Sequence, residues 1–189
     1  GLPTSGQRVV VLDAAAAAEQ RRAAEDATPP EPEPPPPPGY LAIQLGASRL
    51  AAAIVNLDGD IVVRDRVATP ARNVWPAVTQ LVSRVMAANP SDVVATVCGV
   101  TCPGPIDRGT GAMKPVGMPM WHDFPLRREL AAATGLPVEI ETPGRGLALA
   151  EMWCGESAAL ASGEQNFATI SLGDDVDGAF VLGGRRVDG

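Results

Sequence analysis

Two short segments hold most of the residues whose types and spacing could do chemistry. The first, Glu139-Ile-Glu-Thr-Pro-Gly-Arg-Gly146, leads from an apolar strand into a helix-forming stretch, a turn at which an active side chain would stand exposed. Glu141 is the carboxylate nearest that turn. The turn itself is Thr142-Pro143, and proline carries neither an ionisable group nor a backbone donor. The second segment, Leu172-Gly173-Asp174-Asp175-Val176-Asp177-Gly178-Ala179, is a glycine-bearing turn with three carboxylates. Asp174, Asp175 and Asp177 could hold a cation. A solvated acidic loop is preferred, because the sequence fixes no further ligands. No metal site is expected elsewhere: Cys98 and Cys102 lie in an apolar run without a second pair, Cys154 stands alone, and His122 is the one histidine.

These segments need a frame, and hydrophobic patterning supplies one from Tyr40 onwards. Leu41–Leu45 and Leu50–Asn56 are apolar runs of strand length, and Asp58-Gly59 turns the chain into a third run, Ile61–Ala68, giving three antiparallel strands. Val74, Val78, Leu81, Val82 and Val85 recur at helical spacing behind Asn73, a candidate cap, and Asn89-Pro90 is the stop. Val93–Thr101 reads as a buried strand, Asp123 as the cap of a helix through Leu130 that ends at Gly135, Val138–Glu141 as a strand and Leu147–Leu160 as a helix. At Phe167 the pattern restarts, with strands Phe167–Leu172, Gly178–Leu182 and, after Gly183-Gly184, Arg185–Val187. The fold class read from this order is α/β, with one lobe over 40–165 and the start of a second over 166–189.

Residues 1–38 differ from the rest. Eight of the 19 prolines fall between Pro29 and Pro38, so this stretch reads as a disordered, polyproline-rich linker that adds nothing to a core. A short strand over Arg8–Leu12 and a helix-prone Ala14–Asp26 precede the tract. The glycine start is read as a cut or processed end. A net charge of −7 argues against a chain that itself covers nucleic acid. With no signal peptide and no apolar run near the roughly 18 residues of a membrane span, a cytoplasmic, reducing setting without membrane contact is expected.

Further segments combine uncommon residues at fixed spacing: Pro103-Gly104-Pro105-Ile106-Asp107 and Val116-Gly117-Met118-Pro119-Met120-Trp121-His122-Asp123-Phe124-Pro125-Leu126. With Leu136–Glu151 they resemble the ROK family (repressor, open reading frame, kinase), whose counterparts read Pro-Gly-Pro-Val-Asp, Pro-Asn-x-Pro-x-Trp-x-x-Phe-Pro-Leu and Leu-Pro-Val-x-x-Glu-Asn-Asp-Ala-Asn-Ala-Ala-Ala-Leu-x-Glu. The resemblance covers about 40–189. It implies a ribonuclease-H-like, actin-like ATPase lobe of three antiparallel strands followed by alternating helices and strands, plus the first strands of a second lobe. It also implies that the residue at position 143 is the general base, taking the proton of a sugar hydroxyl as it attacks the γ-phosphate of ATP.

The same resemblance assigns two phosphate turns and a sugar pocket. The first turn, Asp-Ile-Gly-Gly-Thr-Lys in the family, is matched by Gln44-Leu45-Gly46-Ala47-Ser48-Arg49. Gly46 and the Ser48 hydroxyl are kept, but Gln44 brings no charge to a magnesium ion. The second, Leu-Gly-Thr-Gly-Val-Gly-Ala-Gly, is matched from Leu172 to Ala179. Its aspartates would stand where polyphosphate sits, each like-charge pair at ~4 Å costing on the order of 1–4 kcal/mol. In the sugar pocket, Gly117, Thr142 and Arg145 replace asparagines and Glu141 is kept. A pocket short of polar partners binds hydroxyls poorly.

From these departures the expectation is a non-catalytic, kinase-like effector domain of a ROK-type, sugar-responsive transcriptional regulator, with no catalytic residue and no cofactor. Its partners would be an upstream winged-helix DNA-binding domain and operator DNA in the parent protein, a sugar or sugar-phosphate effector, and a second copy of the chain. Ser5-Gly6-Gln7-Arg8-x-x-x-Leu12, which resembles a stretch following the DNA-binding wing, favours that branch. One alternative is a glucokinase-like, ATP-dependent sugar kinase in which Asp107, Asp123 or Glu141 reaches the hydroxyl. Another is a ligand-free interaction module whose fold serves packing or dimer formation.

Overall fold

Alternating small and large apolar residues build the first sheet. β1 (Pro38–Leu45), β2 (Arg49–Val55) and β3 (Ile61–Ala68) pair antiparallel, with Leu45 opposite Leu50 and Leu50 opposite Val67. β4 (Val94–Thr101) and β5 (Val138–Glu141) extend the sheet in parallel on the other side of β1, giving the order β3-β2-β1-β4-β5. The expected α/β class holds. The computed structural model describes residues 34–90, 93–115, 117–161, 163–173 and 176–187. The strand expected over Arg8–Leu12, the helix-prone Ala14–Asp26, and the side chains of Asp174 and Asp175 lie outside them.

Successive side chains of a strand point to opposite faces, so one face collects Leu41, Ile43, Leu45, Leu50, Ala52, Ile54, Cys98 and Val100, none more than 3% exposed. Helix α1 (Val74–Ala88) covers it with the five residues that the 3.6 period selects, Val74, Val78, Leu81, Val82 and Val85. Helix α2 (Leu126–Thr134) adds Leu126 and Leu130. The opposite face is lined by smaller residues, Ala42, Ala51, Ala53 and Gly99, and a cavity of about 1090 Å³ opens between it and α3 (Pro143–Cys154).

Helix starts differ from expectation, each for a local reason. Asn73 adopts a left-handed conformation (φ 57), and its carbonyl, not its side chain, accepts the Ala77 N–H. Asp123, also left-handed, lies ahead of Pro125, which holds the cap position of α2. Gly135 ends that helix as expected. α3 opens at Pro143 rather than Leu147, because a proline in the first helical position loses no hydrogen bond and its fixed φ suits the turn. It stops at Cys154, and a 3-10 turn over Glu156–Ala159 takes up the rest of the expected helix.

β6 (Phe167–Leu172), β7 (Val176–Leu182) and β8 (Arg185–Arg186) form a second, antiparallel sheet. It packs on α3 through a small core of Ala148, Ala179 and Val181 flanked by Met152 and Phe167. Among the described residues no helix is long and apolar enough to cross a membrane.

Candidate functional site

The segments singled out by spacing converge where β5 passes into α3. Gly117, at φ 83, lies so close to the first turn that a Cβ there would come within 2.8 Å of the Ala47 Cβ. A side chain is excluded by space and backbone alike. Thr142 faces the Pro103–Pro105 turn, its Cγ2 3.8 Å from where a Cβ of Gly104 would be. Trp121, 5% exposed, stacks on Phe124 at 4.4 Å between ring centroids, so the tryptophan of the Val116–Leu126 segment is a packing residue that anchors the loop carrying Gly117.

Glu141 ends β5 and is the centre of an ion cluster. Arg108 reaches both its oxygens at 3.3 Å, Arg186 of β8 donates to Oε1 at 2.6 Å, and the Nε of Arg145 lies 3.1 Å from Oε2. A carboxylate offers about four lone-pair directions; three N–H groups from Arg108 and Arg186 address them here, and Arg145 adds an ion-pair contact. Because Arg186 comes from the second sheet, the cluster ties that sheet to the end of the first. Arg108 and Arg186 were not singled out in the sequence, where nothing marks a guanidinium as a partner of one glutamate. Arg145, read as a lost asparagine, has become part of the same cluster.

In the first turn the Gly46 N–H donates to the Arg49 carbonyl at 2.9 Å, and the Thr69 hydroxyl donates to the Gly46 carbonyl at 2.6 Å. The turn is therefore closed on itself. Gln44 and Arg49, with Glu141, line the large cavity, and Ser48 is exposed.

The second turn departs from the expected acidic repulsion. Asp177 turns towards α3, and the Gly144 N–H donates to its Oδ2 at 2.6 Å. This is the carboxylate-to-helix-start pairing that the helix dipole favours. The strand comes close because both positions are glycine: a Cβ on Gly144 would lie 2.6 Å from the backbone of Gly178. Thr169 completes the junction, its hydroxyl donating to the Gly144 carbonyl at 2.7 Å. One of the three charges expected to repel phosphate is thus spent on a helix end. Thr142, at the cap position, makes no side-chain capping bond, and its Oγ1 is buried without a partner among the described residues.

Asp107, another carboxylate considered, is occupied elsewhere. Asp107 accepts the N–H groups of Gly109 and Thr110 on Oδ1, and the Thr110 bond chiefly holds its carboxyl below the usual range. It shapes its own turn. Among the described residues no group of three or more His, Cys, Asp or Glu side chains is placed to hold a metal ion. With Gln44 supplying only an amide, the donors present do not fit a protein-held magnesium ion. Burial pushes the Cys98 thiol up to about 12, in keeping with its reading as a buried thiol.

With this geometry in view, the chain was compared with known proteins. The ROK family profile matches residues 40–189. A glucokinase from Thermotoga maritima is 27% identical over 150 residues, covering 79% of this chain and 46% of the relative. An N-acetylmannosamine kinase from Escherichia coli is 31% identical over 150 residues, covering 79% and 49%. The chain thus spans about half the length of these relatives. A ROK hexokinase from Thermus thermophilus superposes with a TM-score of 0.65 at 28% identity, covering 80% of this chain and 49% of that one. A ROK family transcriptional regulator, a homolog of the Escherichia coli MLC protein, shares the fold at 23% identity, with a TM-score of 0.60 over 80% of this chain and 38% of its own. These similarities overturn the expectation of a non-catalytic chain. The glucokinase and the N-acetylmannosamine kinase each align with 79% of it, and one of the acidic residues weighed against phosphate binding, Asp177, turns into α3.

Proposed function

The chain belongs to the ROK family, and from that premise we propose that the protein carrying it is a sugar kinase that transfers the γ-phosphoryl group of ATP to a hydroxyl of a hexose or N-acetylhexosamine. The observation that carries this reading is a convergence. The Gly46 turn, the Gly117 loop, the Glu141–Gly144 junction and the Asp177-Gly178 strand all come to one end of the five-stranded sheet with the family's spacing. Phosphoryl transfer asks a protein mainly for positioning and charge. Arg49 brings a cation to the cavity, and the three guanidiniums around Glu141 hold the β5–α3 turn in one geometry. The Thr142 hydroxyl, one residue before Pro143, is buried without a partner among the described residues. Cys98 and Cys154, both thiols outside any disulfide, support placing the reaction in the reducing cytoplasm, where ATP is made.

A DNA-binding regulator is the second reading. The stretch of residues 1–39 ahead of the matched region favours it, since Ser5–Leu12 resembles a segment that follows a DNA-binding wing. One experiment separates the two. The whole protein carrying this chain is assayed with ATP and magnesium against glucose, N-acetylglucosamine, mannose and N-acetylmannosamine. Turnover above about 0.1 s⁻¹ is expected with one of them, below the usual enzyme range of about 1–10³ s⁻¹ because of the altered site. Folded protein that phosphorylates none of the four would overturn the kinase reading.

A further inference from the structure

Resting on that kinase reading, we infer that Asp177 is the general base of the phosphotransfer, its carboxylate delivered from β7 to the start of α3, beside the position that Pro143 occupies. The inference begins with what the other carboxylates are doing. Glu141 accepts three N–H groups from Arg108 and Arg186 and has Arg145 3.1 Å away, so it is held as the shared counter-ion of three guanidiniums. Asp107 is folded into its own turn by Gly109 and Thr110. Asp123 sits in a left-handed backbone position in the loop before α2.

Asp177 is held differently. Its Oδ2 takes one N–H, that of Gly144, and no other described group hydrogen-bonds to the carboxylate. Oδ1 is therefore available. The position is also rigid, since the backbone of β7 lies against the first turn of α3 at Gly144 and Gly178, and Thr169 ties Gly144 from the other side. A base must be fixed within hydrogen-bond reach of the proton it takes, at about 2.6–3.2 Å. A second polar group at this junction is unpaired. The Thr142 Oγ1, on the far side of Pro143 from Gly144, is buried and has no partner among the described residues.

In the step this assigns, a sugar hydroxyl oxygen forms a bond to the γ-phosphorus of ATP. The bond from that phosphorus to the β–γ bridging oxygen breaks, its electron pair leaving on ADP, and the hydroxyl proton passes to Asp177 and then to solvent.

The test uses the whole protein and three variants. Asp177→Asn keeps an oxygen for the Gly144 N–H, so the helix start stays satisfied. Its kcat should fall by about 10²–10⁴-fold, the usual worth of a positioned acid or base, with KM and the affinity for ATP close to wild type and the acidic limb of the kcat/KM profile lost. Adding Pro143→Asp to Asp177→Asn should restore at least part of the lost kcat, because both positions present a carboxylate to one place. Wild-type protein without turnover on any sugar removes the kinase reading and this inference together. An active wild type with an Asp177→Asn variant of similar kcat overturns the inference alone. So does a variant that loses ATP affinity in step with kcat, which makes Asp177 a binding group, or a double variant that recovers nothing. Asp177→Ala, followed by thermal melting, guards against misfolding: intact melting with the same loss of kcat supports the base, and retained kcat overturns it.

Discussion

On the five-stranded sheet every second residue of β1 and β2 is sealed beneath α1 and α2, whereas on the three-stranded sheet Ile170, Leu172, Val176, Phe180 and Leu182 are 59–79% exposed. The same strand-forming residue types stand in two different situations. The first sheet is held by apolar burial. The second is held on one face, by a small alanine and valine contact with α3, by the Asp177, Thr169 and Gly144 hydrogen bonds, and by the Arg186 to Glu141 ion pair. The parts of the candidate site that come from different segments therefore meet where packing is thinnest and polar contacts decide the geometry.

The sharpest way to break that comparison is to remove apolar bulk from the core over the first sheet and from the outer face of the second. Leu81 is fully buried on α1 against the first sheet, so Leu81→Ala should cost about 2–5 kcal/mol of unfolding free energy. Phe180 is 64% exposed, and Phe180→Ala should stay within about 0.5 kcal/mol, as exposed substitutions do. Urea unfolding of the two variants measures both. Similar losses would mean that the outer face of the second sheet is covered in solution.

The same contrast explains what could be read from the sequence. The five-stranded sheet and α1 were legible because burial imposes period, and Val74, Val78, Leu81, Val82 and Val85 form the predicted stripe. The site was legible as segments, since Pro103–Asp107 and Gly117–Leu126 keep uncommon residues at fixed spacing. Its chemistry was not. Asp177 reads as one more charge in an acidic turn until the fold brings it to Gly144, 33 residues earlier in sequence. Glu141 looks available until Arg108, Arg145 and Arg186 arrive from three directions. Local patterns encode which face is buried, but a choice of partner across 33 or 45 residues is fixed only by the assembled fold.

The next effect is smaller and confined to the junction. Replacing a helical glycine by alanine ordinarily gains about 0.5–1 kcal/mol. Gly144→Ala would instead push a methyl to 2.6 Å from the Gly178 backbone, an overpacking that costs about 1–3 kcal/mol. The clash is with main chain, which cannot rotate away, so the loss should win. Amide exchange should quicken across Phe167–Arg186 while Leu41–Leu45 keeps its protection. A variant more stable than wild type with unchanged exchange would show that the junction is loose.

The weakest perturbation leaves stability untouched and reads the two environments through their thiols. Cys98 is fully buried on β4 under the helices, and its burial holds the thiol up to about 12. Cys154 is exposed at the end of α3. Alkylation needs the thiolate. A raised value means that Cys98 stays protonated as pH climbs from 7 to 10, over which an exposed thiol, ordinarily near 8.5, ionises. Native protein treated with iodoacetamide at about pH 8 should therefore be labelled at Cys154, with Cys98 and Cys102 reacting only after denaturant is added. Raising the pH to 10 should leave Cys98 unlabelled. Mass spectrometry of the labelled peptides gives the answer: native labelling of Cys98 at a rate near that of Cys154 would mean that the first sheet opens as readily as the end of α3, and the contrast between the sealed sheet and the one held on a single face would fall.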